Sequence, residues 1–335
     1  MRKLISLLLV ANALLQGLQG NAQDDRQTLP DKAGVWDARY VVDEHSAGYN
    51  MTAAEKDAFR KNGTAILEVL HRNPVMAAPK GFDARIRLRP LYPYEFSKHP
   101  YNYGMVADVL IEFCEWYRYH GVVQRQEVEP PSLRISANEL DAMIYAERNN
   151  FERDGYNEVL DAAALTMNKY FAEPQKVKEL APGVVLYRNN RIVITKPGAK
   201  AYWKPVTLQD YFRDLLRYWE LRVKKTPAEK PVLDLINGEW AALSPVERTG
   251  IAYGHSEKIS GVSAHPEDGP RILAFDQNFF TKSKGRTALQ VFVIENVTPK
   301  MIDESLEINT AETGAYRAYQ FLSTLDFAAL QSLLQ

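Results

Sequence analysis

Cysteine is almost absent: Cys114 is the only one in 335 residues. With one thiol the chain can close no disulfide within itself, so its stability has to come from packing. Cys114 stands in the strand-like run VLIEFCEWYRY, where a free thiol is expected as a buried, inert core residue. No charge of one sign dominates either. The 41 Lys and Arg face 42 Asp and Glu, a formal net charge of −1. That balance gives no basis for the phosphate-dominated grip of nucleic acid. Apart from residues 4–15, no apolar run approaches the ~20 residues a membrane helix needs. Also missing are GxSxG, GxGxxG, a Walker loop, HExxH and CxxC, so the motif-borne chemistries of nucleotide binding, zinc proteolysis and dithiol redox are not indicated. Neither a metal nor a cofactor is expected.

What is present begins at the first residue. Met1-Arg2-Lys3 is a short basic start, Leu4 to Leu15 is apolar, and Gly20-Asn21-Ala22 puts small residues before a cut. This is the pattern of a secretory signal peptide over residues 1–22. The residue after the cut is Gln23 rather than Cys, so no lipid is attached there. The expectation is a periplasmic or secreted protein with no membrane span in the mature chain.

Hydrophobic patterning then sets the fold class. Residues 23–50 read as polar loop. Thr52-Ala-Ala-Glu55 is a capping box opening a helix with a stripe at Phe59, Gly63, Ile66, Leu67 and Leu70, ended by Asn73-Pro74. Ala84, Ile86 and Leu88 alternate with Arg85, Arg87 and Arg89, a half-buried strand with a basic outer face. Residues 90–104 read as an ordered aromatic loop, and Val109 to Tyr119 as a long strand. Ser136 to Glu139 resembles a second capping box before a helix over 140–148. Leu160 to Phe171 reads as helix stopped by Pro174. Asn189-Asn190 joins a β-hairpin. Thr207 caps the clearest helix, with Leu208, Tyr211, Phe212, Leu215, Leu216, Trp219 and Val223 inward and Asp210, Arg213, Asp214 and Arg217 outward. Residues 224–231 read as a linker. Arg271 to Phe275 and Leu289 to Val297 are strands, the second apolar on both faces. Thr298-Pro299 opens a short helix, and Asp326 to Leu334 a last one. Strands that occur singly and in hairpins point to an α+β fold, with mostly antiparallel sheet packed by several amphipathic helices. A division at 23–175 and 176–335 is one reading of the organisation; one continuous domain is the other.

Three segments hold candidate functional residues. Residues 253–270 show no periodicity and gather His255, Ser256, Glu257, Ser263, His265, Glu267 and Asp268. A histidine and carboxylate beside a hydroxyl suit acid–base or nucleophilic work, and the same residues suit ligand binding or a plain surface loop. Arg85, Arg87 and Arg89 share one strand face; they can hold an anion bidentately, or pair across strands with Glu112, Glu127 or Glu129. Tyr92 and Tyr94, with Phe96, Tyr101 and Tyr103, suit contact with a glycan or peptide. The missing catalytic motifs favour a binding or interaction protein of the bacterial envelope or medium. Its partner would be a glycan, peptide or protein rather than nucleic acid. The alternative is a secreted hydrolase acting on glycan or peptide through residues 253–270.

Overall fold

The computed structural model describes residues 26–41, 52–91, 106–144, 149–276, 278–297 and 314–335. In chain order these form β1 (Arg26–Thr28), β2 (Trp36–Tyr40), α1 (Ala53–His71), α2 (Pro74–Ala77), β3 (Phe82–Leu91), β4 (Val106–Tyr119), β5 (Val122–Arg125) and β6 (Ser132–Ala137). There follow α3 (Glu158–Met167), β7 (Phe171–Ala172), β8 (Lys176–Ala181), β9 (Val184–Tyr187), β10 (Arg191–Ile194), β11 (Trp203–Pro205), α4 (Leu208–Lys225), α5 (Lys230–Ala242) and α6 (Pro245–Thr249). Last come β12 (Tyr253–Gly254), β13 (Val262–Ser263), β14 (Ile272–Phe275), β15 (Phe292–Glu295), α7 (Gly314–Ser323) and α8 (Phe327–Leu333). The fold is α+β, and its strand pairs are mostly antiparallel, β2 with β3 being parallel. None of the described helices is long and apolar enough to cross a membrane.

The chain divides into two compact units, neither continuous in sequence. The first takes Met1–Pro90, Asp108–Ile135 and Asn296–Leu333, the second Leu91–Ala107, Ser136–Glu295 and Leu334–Gln335. In the first unit the strands run β2-β3-β4-β6, with β1 and β5 also on β4. Strand alternation sends Phe82, Ala84, Ile86 and Leu88 inward, all at most 1% exposed. Helix α1 begins with the complete capping box of Thr52 and Glu55. It buries Phe59, Gly63, Ile66, Val69 and Leu70. Gly63 is required by close approach: a Cβ there would lie 3.0 Å from the Tyr40 ring and 3.3 Å from Leu88. Phe113 joins Phe82 at 5.5 Å and Phe321 of α7 at 6.2 Å between ring centroids.

In the second unit β15, β10, β9 and β8 form one sheet, and β11-β14-β7 a smaller one. The predicted hairpin is β9–β10, turned at Asn190 with φ 64°. Leu160, Ala164 and Met167 of α3 share a core with Leu208, Tyr211, Phe212 and Leu215 of α4. A second core joins Phe171, Tyr187, Phe275, Phe279, Val291 and Val293. Strand β15 is buried at all four positions, as its two-faced apolarity implies. Cys114 is fully buried, and desolvation raises its thiol pKa.

Several local expectations are corrected. Residues expected as loop before position 50 include β1 and β2. Ser136 is not a helix cap; it lies in β6 and its hydroxyl donates to Glu295 Oε1 at 3.2 Å, while Leu140–Ile144 is a 3-10 helix and residues 145–148 of the expected helix lie outside the described residues. Phe171 belongs to a strand, because α3 already ends at Met167. The expected linker at 224–231 is the end of α4, a 3-10 turn and the start of α5, where Pro231 occupies the first turn that tolerates proline. On α4, Asp214 and Tyr218 are buried while Trp219 is only half-buried. The expected short helix at Thr298-Pro299 lies outside the described residues, as do residues 1–22.

Candidate functional site

Residues 253–270 are held by their own hydrogen bonds. β12 pairs antiparallel with β13, so that Tyr253 faces Ser263 and Gly254 faces Val262. Gly254 N–H donates to the Pro270 carbonyl at 2.8 Å. Gly269 permits that crossing, since a Cβ there would stand 2.5 Å from the Gly254 oxygen. Glu239 of α5 accepts from the N–H groups of Ile259 and Ser260 at 2.9 and 3.1 Å. The buried Tyr211 hydroxyl donates to the Ser260 carbonyl at 3.2 Å; burial pushes its pKa up to about 12.

Within this segment Asp268, Ser263 and His255 come together. The Ser263 hydroxyl donates to Asp268 Oδ2 and accepts from His265 N–H at 3.0 Å. His255 Nδ1 accepts from Glu257 N–H at 3.2 Å, so the proton of the neutral ring sits on Nε2, which is 3.8 Å from Asp268 Oδ2. That distance exceeds the ~2.6–3.2 Å reach of a working acid–base contact. The Ser263 hydrogen is directed to a carboxylate rather than an imidazole, and Ser263 is 1% exposed. The hydrogen bond from Ser263, reinforced by both histidines, holds Asp268 below the usual carboxylate range. Ser256, Glu257, His265 and Glu267 are exposed. No three His, Cys, Asp or Glu side chains among the described residues form a metal-binding group.

The arginine face of β3 is paired throughout. Arg85 binds Glu112 bidentately at 2.7 and 3.0 Å and reaches Glu127 at 3.1 Å. Glu112 above all raises the Arg85 pKa. Arg87 donates to Asp37 Oδ2 at 3.0 Å and to two carbonyls. Burial works against the Asp37 carboxylate, yet Arg87 and Arg39 bring its pKa down. Arg89 meets Asp108 at 2.8 Å, and Arg134 takes the other oxygen at 2.7 Å. Arg125 binds Asp83 at 2.7 Å. Of the expected partners, Glu112 and Glu127 take these roles; Glu129 is exposed at φ 46°. Tyr92 and Tyr94, with the rest of the aromatic loop, lie outside the described residues.

The patterning did not single out a cleft of about 590 Å³ in the second unit, lined by Glu173, Pro174, Gln175, Lys176, Tyr187, Trp203 and Pro270. β7 and β11 flank β14 and place these residues: Trp203 stands opposite Phe275, and Phe171 opposite Leu273. Trp203 is half-buried, its ring set edge-on against Tyr187 and Tyr202 with centroids 5.4 and 4.7 Å away. The hydroxyls of Tyr187 and Tyr202 are hydrogen-bonded, and burial keeps both protonated. Glu173 is gripped by Arg271 through Nε at 2.6 Å and Nη2 at 2.5 Å. The aromatic wall is therefore packed and hydrogen-bonded, and the rim is polar. The pair Tyr202-Trp203 was the signal in the sequence, but its wall partners lie 16 to 67 residues away along the chain. No protein-family model, no curated protein and no solved structure matches the chain.

Proposed function

We propose that this chain is an exported binding protein of the bacterial envelope or medium, and that it holds a saccharide chain in the Trp203–Tyr187 cleft. One observation carries the reading: a half-buried indole, packed edge-on against Tyr187 and Tyr202, stands beside a polar rim whose carboxylate is already committed to an arginine. Aromatic rings take the C–H faces of a sugar, while Gln175, Lys176 and Glu173 meet its hydroxyls. Glycoside hydrolysis uses two carboxyl groups, ~5–5.5 or ~6.5–9.5 Å apart. Among the described lining residues Glu173 is the sole carboxylate. That favours retention of the sugar over cleavage. Export is supported by the basic, apolar and small-residue succession of residues 1–22.

The experiment is a screen of the mature protein against immobilised bacterial and plant-type saccharides, followed by incubation with the best binder in solution. The expected result is saturable binding with no new reducing ends. Release of reducing ends that stops in Glu173→Gln would refute the reading, as would a screen in which no saccharide binds saturably.

A further inference from the structure

A second cleft of the same unit, about 240 Å³, shares no residue with the aromatic one. Lys196-Pro-Gly-Ala-Lys200, after β10, lines one side, and Thr281 and Lys284 are among its other lining residues. Lys196, Lys200 and Lys284 are exposed, and among the described residues none is within salt-bridge distance of a carboxylate. None of the described lining residues is Asp or Glu, and Gln335 lines the cleft as well. The remaining polar side chains add donors. Gln290 is 9% exposed; its Oε1 accepts from Thr281 N–H at 2.7 Å. Its Nε2 donates to the Thr281 carbonyl at 3.4 Å. An amide nitrogen has two hydrogens, and the Thr281 carbonyl takes one of them. Thr281 adds a hydroxyl.

This donor-rich wall contrasts with the arginine face of β3, where every guanidinium has a carboxylate. Three ammonium groups around a small concavity lower their mutual repulsion by taking an anion, and tetrahedral oxyanions accept from several donors at once. We propose that the Lys196–Lys200–Lys284 cleft is a binding site for a phosphate or sulfate ester group. The proposal stands independently of the saccharide reading.

Isothermal titration of the mature protein with inorganic phosphate and, separately, with inorganic sulfate tests it at low and physiological salt. Saturable binding of either is expected, weakened by salt because exposed charges are screened over ~8 Å at physiological ionic strength. The tighter probe identifies the ester. One lysine contact in water amounts to ~1 kcal/mol at 4 Å, about fivefold in affinity, so the triple variant K196Q/K200Q/K284Q should bind about a hundredfold more weakly. K56Q/K61Q/K224Q removes the same charge elsewhere and should bind as the parent does. Thermal unfolding verifies that both variants fold. Absence of saturable binding in the millimolar range, or equal weakening in the two triple variants, would overturn the proposal.

Discussion

Asp214 offers the sharpest test of the packing described for the second unit. A carboxylate on α4 that sequence patterning places outward is 8% exposed, and three donors converge on it. Tyr170 donates from its hydroxyl at 2.6 Å, Lys169 from Nζ at 2.9 Å and Arg213 from Nε at 3.0 Å. Tyr170 is 2% exposed. Asp214→Ala strands that hydroxyl, costing ~1–3 kcal/mol for an unsatisfied buried group. Lys169 and Arg213 reach water, with side chains 25% and 61% exposed, so their loss adds little. The sum stays near ~1–3 kcal/mol, below the ~3–5 of a fully buried pair. Asp214→Asn keeps an acceptor for Tyr170 and should cost about half as much. The pH dependence has a definite sign. Burial alone would raise the Asp214 pKa, but the hydrogen bonds from Tyr170, Arg213 and Lys169 outweigh it and bring the folded value below the ordinary 3.8. A lowered folded pKa means a contribution that is full above the unfolded value and lost as pH falls through the folded one. Urea unfolding of parent and Asp214→Asn should therefore show a constant gap at neutral pH, closing below about pH 4. A loss within ~0.5 kcal/mol for Asp214→Ala, or a gap that widens in acid, would refute the reasoning.

The remaining predictions concern the other described features. Arg85→Gln breaks a bidentate, largely shielded pair and should lower stability by ~1.5–3 kcal/mol. Arg89→Gln should cost within ~1 kcal/mol, because Arg134 still holds Asp108. Denaturant unfolding distinguishes the two, and retention on heparin should be the same for the parent and for R85Q/R87Q/R89Q. Cys114 should react with a disulfide reagent only as the protein unfolds; stoichiometric labelling of the native protein would contradict its burial. Intact mass of protein recovered from its native host's periplasm or medium should begin at Gln23, and retention of Met1 to Ala22 would overturn the export proposal.

Much of the local structure was legible because periodicity reports one-sided burial. The α1 stripe, the alternation of β3, the Asn189-Asn190 hairpin and the fully apolar β15 all follow from it. The failures share a physical cause. Asp214 and Ser136 are polar residues whose partners, Tyr170 and Glu295, are distant in sequence, so burial could not be read locally. Phe171 continues a helical spacing, yet β14 captures it as a strand. The prolines of 224–231 suggest a linker, yet Pro231 stands in a first turn, where a helix admits proline. The arginine partners Glu112 and Glu127 were foreseeable from strand pairing alone. The aromatic and lysine clefts were not, because each is assembled from segments far apart in the chain that only the folded second unit brings side by side.

The central claim is that Trp203 is the platform for a saccharide. The direct measurement is the affinity of the best-binding saccharide for the parent, Trp203→Ala and Trp219→Ala, by calorimetry. Trp219 is a half-buried tryptophan of α4 that does not line the cleft. The account predicts at least about a tenfold loss, ~1.4 kcal/mol, for Trp203→Ala, partial recovery in Trp203→Phe, and no change for Trp219→Ala. Equal affinity in the parent and Trp203→Ala, with both folded, would contradict it.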